Sequence, residues 1–66
     1  MNSDIVKGKL LQLRGEMKKA WGNLTNDDLE KFTGEVDNLA GIIQERYGIT
    51  REQAEKQAKE FMARFK

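Results

Sequence analysis

Sixty-six residues with no cysteine and no histidine can bury only one small core, and neither a disulfide nor a thiolate metal site is available to reinforce it. Without histidine the commonest general base and metal ligand are also gone, so no catalytic, cofactor-binding or metal site is expected and the chain reads as a non-enzyme. Charged residues make up 35% of the composition yet the net charge is only +1, which excludes an acidic or polyanion-binding tail.

The first predicted helix carries Val6, Leu10, Leu13, Met17, Ala20 and Leu24 at alternating steps of four and three, with Trp21 widening the stripe. Gly22 is a stop signal. Thr25 then has the side chain of an N-cap, Leu24 stands opposite Leu29, and Asp27 and Asp28 suit the positive end of a helix. This cap lacks the longer Glu or Gln at its third helical position, so the two aspartates read as cap chemistry. Leu29, Phe32, Val36, Leu39 and Ile43 keep the apolar rhythm straight through Thr33 and Gly34, with Ile42 and Tyr47 beside it. Residues 26–47 are therefore one helix bent near Gly34, or a short helix followed by a longer one with almost no loop; two elements are the favoured reading. Gly48 is placed to end that segment in the left-handed region. Thr50 with Gln53 forms a capping box, and Ile49 can meet Ala54 as a weak staple. The last helix presents Ala54, Ala58, Phe61, Met62 and Phe65.

Sliding the chain by 26 residues lays Gly8 on Gly34, Leu10 on Val36, Leu13 on Leu39, Gly15 on Gly41, Met17 on Ile43, Trp21 on Tyr47 and Gly22 on Gly48. The chain is thus a single domain, 1–66, made of one unit written twice, about 5–31 and 32–65. Each unit is a helix, a glycine stop, a turn and a second helix. The expected fold is all-α, four short helices forming two helical hairpins. Two copies are too few for a solenoid.

With the apolar seam called a and d, all six glycines fall at f, on the opposite face. Gly22 and Gly48 have a backbone reason as helix stops; Gly8, Gly15, Gly34 and Gly41 do not. Glycine inside a helix costs about 1 kcal/mol against alanine. Three explanations compete: a second helix packed on the notches, a deliberately low helicity that makes the fold conditional on crowding, dehydration or a partner, or a surface kept bare for a protein partner. The candidate partner surface is Gly8, Gly15, Gly34 and Gly41 with Lys7, Arg14 and Lys18. Residues 1–24 hold five positive and two negative side chains, a net of +3; residues 25–48 hold two and six, a net of −4; residues 49–66 hold five and three, a net of +2. This alternation favours electrostatic contacts within the fold over nucleic-acid binding by the basic first helix, and no aromatic residue interleaves with Lys7, Arg14 and Lys18 to stack on bases. Trp21 and Tyr47, at equivalent helix ends, are expected to plug the core.

The order Lys7-Gly8, Gln12-Leu13-Arg14-Gly15, Trp21-Gly22-Asn23-Leu24-Thr25, Asp37-Asn38-Leu39-Ala40-Gly41, Ile43-Gln44-Glu45-Arg46-Tyr47-Gly48 and Glu52-Gln53-Ala54-Glu55-Lys56 resembles the CsbD-like family of small bacterial stress proteins over nearly the whole chain. The resemblance implies two hairpins in an open array, a cytoplasmic location and induction under general stress. It implies no established molecular activity and supplies no catalytic, cofactor or ligand residues. The function read at this stage is a small non-enzymatic stress-response protein that binds or protects other components, the alternative being a nucleic-acid-associated regulator. No window approaches the roughly eighteen apolar residues of a membrane span, Met1–Ile5 lacks the basic and apolar regions of a secretory signal, and the oligomeric state is left open.

Overall fold

The computed structural model describes the backbone of residues 3–65 and, from residue 8 onward, their side chains. Four helices follow in order, α1 (Ser3–Ala20), α2 (Asn26–Lys31), α3 (Val36–Tyr47) and α4 (Arg51–Ala63), so the fold is all-α. α3 and α4 lie side by side, whereas α1 and the short α2 touch at fewer points.

The turns explain the helix ends. Thr25 accepts a hydrogen bond from the Asp28 N–H through its hydroxyl at 3.2 Å, and the Asp28 carboxylate accepts from the Thr25 N–H at 3.0 Å. The first box is thus closed by aspartate, although its shorter side chain argued against it in the sequence. Thr50 and Gln53 make the equivalent pair at 3.1 and 3.3 Å. Each box satisfies two backbone donors that a helix start leaves open.

Among the six glycines only Gly34 and Gly48 have positive φ, +96° and +66°. Gly48 is the left-handed cap of α3, its N–H donating to the Gln44 carbonyl at 2.9 Å. Gly34 belongs with it rather than with the unexplained glycines, because it turns the chain between α2 and α3 where the apolar rhythm alone would have continued. Gly22 differs from the expected stop: it lies in the turn after α1 without a positive φ.

One cluster forms the core. α1 contributes Leu13 and Met17, the segments around α2 contribute Leu24 and Phe32, α3 contributes Leu39, Ala40, Ile42 and Ile43, and α4 contributes Ala54, Ala58 and Phe61. Most of the predicted stripe is there; Ala20 is exposed, and the side chain of Val6 lies outside the described residues. Trp21 packs on Phe61 with ring centroids 5.0 Å apart, and Phe61 on Phe65 at 4.9 Å. Tyr47 does not plug the core as Trp21 does. It is 37% exposed, and its hydroxyl accepts a hydrogen bond from the Asn23 N–H at 3.1 Å. The two equivalent aromatics therefore do different work, one filling the core and one tying the second turn to the first.

Candidate contact surface

α1 is long enough to present a full outer face. At 100° per residue Gly8, Leu11 and Gly15 fall within about 60° of one another. Leu11 is 55% exposed, the most exposed large apolar side chain among the described residues. A Cβ built on Gly8 or Gly15 would meet, among the described residues, no atom within 4 Å beyond its own helix backbone and chain neighbours. No second helix packs on these two notches, which removes the close-packing explanation for them. Gly41 is half-buried, and a Cβ there would lie 3.7 Å from Nη1 of Arg51. Arg51 reaches across from α4, pairing with Glu55 at 3.0 Å and with Asp37 at 3.8 Å. Gly34 is half-buried with Leu10 at 4.0 Å. The structure brings Gly8 and Gly15 together on one open face and sets Gly34 and Gly41 against other neighbours.

The basic residues of α1 are engaged close to home. Lys18 donates to the carbonyls of Gly22 and Leu24 at 3.0 and 2.7 Å, which satisfies backbone oxygens of the turn that follows α1. Arg14 is half-buried and its Nη2 donates to the Glu30 carbonyl at 3.4 Å, near the end of α2, while its Nε is enclosed without a partner. Lys9 holds its ammonium 5.8 Å from the Phe65 ring centroid. The side chain of Lys7 lies outside the described residues. Among the described residues the cations of the first helix thus meet backbone carbonyls (Arg14 and Lys18), an aromatic ring (Lys9) and the Glu16 carboxylate of their own helix (Lys19, 3.6 Å), and none is paired with a carboxylate of the middle segment.

The one buried charge among the described residues is Asp28, 5% exposed. Besides its cap bonds it accepts from Arg46 Nε at 2.8 Å and Nη2 at 3.3 Å. This two-pronged pair joins the start of α2 to the end of α3. Arg46 donation first, then the Thr25 N–H, holds the carboxyl at about 2, below its ordinary 3.8. The pair has no local signature in the sequence.

No three acidic side chains among the described residues converge as metal ligands would. An open depression of about 170 Å³ is lined by Ala20, Trp21, Gln57, Glu60, Phe61 and Arg64. Trp21 Nε1 donates to Gln57 Oε1 at 3.1 Å there.

Residues 4–56 match the CsbD-like family model. The chain belongs to the CsbD-like family. It is 55% identical over 64 residues to a UPF0337 protein of Bordetella pertussis, covering 97% of each chain. To a UPF0337 protein of Pseudomonas aeruginosa it is 48% identical, covering 97% of this chain and 98% of the other. UPF0337 protein YjbJ of Salmonella typhimurium is 45% identical, with 97% and 91% covered. None of these names states a molecular activity. This CsbD-like chain has no helix, among its described residues, that is long and apolar enough to cross a membrane.

Alanine on the open face has only its helix propensity to contribute. Gly15→Ala is expected to raise unfolding stability by about 0.5–1 kcal/mol in urea titration.

Proposed function

We propose that this CsbD-like chain acts in the bacterial cytoplasm under general stress, without catalysis, by contacting and protecting other components through the outer face of α1. The observation that carries this reading is Leu11, 55% exposed between two glycines that no described residue covers. Isolated surface leucines are common, but here two of the four helix-surface neighbours of Leu11, Gly8 and Gly15, carry no side chain. Gly34, Arg14 and Lys18 support that face indirectly, at the turns and helix ends behind it, whereas Gly41 lies under Arg51 in the middle of α3. The nucleic-acid reading is weaker, since Arg14 and Lys18 already donate to backbone carbonyls.

The test is survival of a gene-deleted strain after osmotic shock, complemented by the wild-type chain or by Leu11→Glu. The variant should fold normally and fail to restore survival; full rescue by Leu11→Glu would overturn the reading. A parallel titration with duplex DNA at low salt should show no binding that falls steeply as salt rises.

A further inference from the structure

The break between α2 and α3 is held by few devices. The apolar residues Leu29, Phe32, Val36, Leu39 and Ile43 are spaced as on one unbroken helix, and the chain contains no proline to forbid it. Against this stand Gly34 at φ +96° and Asn38, whose side chain accepts from the Thr33 N–H at 2.8 Å and donates to the Lys31 carbonyl at 3.0 Å. The caps at the break are weak: Phe32 leaves α2 in an extended conformation, and Glu35 at the start of α3 makes no side-chain cap bond.

We infer that residues 26–47 can fuse into one continuous helix and that the chain then pairs with a second copy of itself by exchanging halves. On a single helix Asp28 and Arg46 would be eighteen residues, roughly 27 Å, apart. Their ion pair could then form only between chains. Two such helices running antiparallel place Asp28 of each copy beside Arg46 of the other about a two-fold axis near Asp37, the isologous arrangement that closed dimers use. The Trp21–Gln57, Trp21–Phe61 and Asn23–Tyr47 contacts link the same two halves and would be remade in trans. Open and closed forms therefore share nearly all their contacts and differ mainly at the hinge, so concentration decides between them. Short hinges are where such exchange arises.

The experiment is Gly34→Ala combined with Asn38→Ala, followed by light-scattering mass on a sizing column from micromolar to millimolar chain. Alanine disfavours the positive φ and favours the helix, and each dimer contains two hinges, so the dimer dissociation constant should fall about 100-fold from a tenfold effect per hinge. Spin labels at Asn26 and Glu45, diluted with unlabelled chains, should then lie roughly 28 Å apart along one helix. A monomer at every concentration, or a dimer that keeps the short distance within one chain, overturns the inference. Should the double variant fail to fold, charge reversal decides instead. Asp28→Arg and Arg46→Asp chains each carry a like-charge pair alone but complementary pairs when exchanged, so the mixture should yield a heterodimer; two separate monomers would overturn the inference.

Discussion

Replacing Phe61 by alanine is expected to remove about 3–5 kcal/mol of stability, a third or more of what a chain of this size has. The ring is 4% exposed and sits between Trp21 and Phe65, with centroids 5.0 and 4.9 Å away. Truncating a buried phenylalanine costs about 3–5 kcal/mol, since lost transfer energy and a residual cavity add. A domain of this size has only about 3–10 kcal/mol of stability in total. The single tryptophan, Trp21, is in direct contact with the missing ring, so its fluorescence should report the loss together with helical circular dichroism. A cooperative urea transition near the wild-type midpoint would show that α4 is not tied to α1 through this stack.

The second large effect belongs to Asp28→Ala, expected to cost about 2–3 kcal/mol. It removes the reciprocal half of the capping box, the bond from the Thr25 N–H, worth about 1 kcal/mol, and the charge-assisted bonds from Arg46, moderated because the Arg46 side chain is 39% exposed. The acid response follows from the same pair. The carboxyl is held at about 2, below its ordinary 3.8, so the charged form is favoured by folding. The stability it contributes is present in full above pH 4 and is lost as pH falls through 2. Asp28→Asn, which keeps an acceptor for the cap, should flatten this part of the acid limb while losing less than Asp28→Ala at pH 7. An acid limb identical in wild type and Asp28→Asn would show that Arg46 does not hold the carboxyl.

Local features were legible in the residues and distant ones were not. Thr50 with Gln53 could be read as a capping box because every partner lies within one turn. Asp28 resisted the same reading, since its side chain is shorter than the Glu or Gln of the usual box and its other partner, Arg46, is eighteen residues away. The break at Gly34 was legible, since two elements on either side of it were the favoured reading and α2 and α3 are separate helices; the apolar phase from Leu29 to Ile43 concealed only the positive φ that makes the turn. Trp21 and Tyr47 matched in the repeat but face different neighbours, since repetition fixes a position along the chain and not what later packs beside it. Leu11 went unnoticed because an apolar residue off the stripe becomes informative only when its surroundings are known to be open. The common phase of Gly8, Gly15 and Gly41 was correct as helix geometry, yet it could not say that Arg51 would lie over Gly41 while nothing would lie over the other two.

On the proposed function, the glycines of α1 give up helix stability to keep the ground around Leu11 bare. The measurement that tests this most directly is the urea unfolding free energy of the Gly8→Ala, Gly15→Ala double variant. Both alanines would enter open space with ordinary helical φ, so stability should rise by about 1–2 kcal/mol. A fall in stability would mean that something packs against this face, and would contradict an open contact surface on α1.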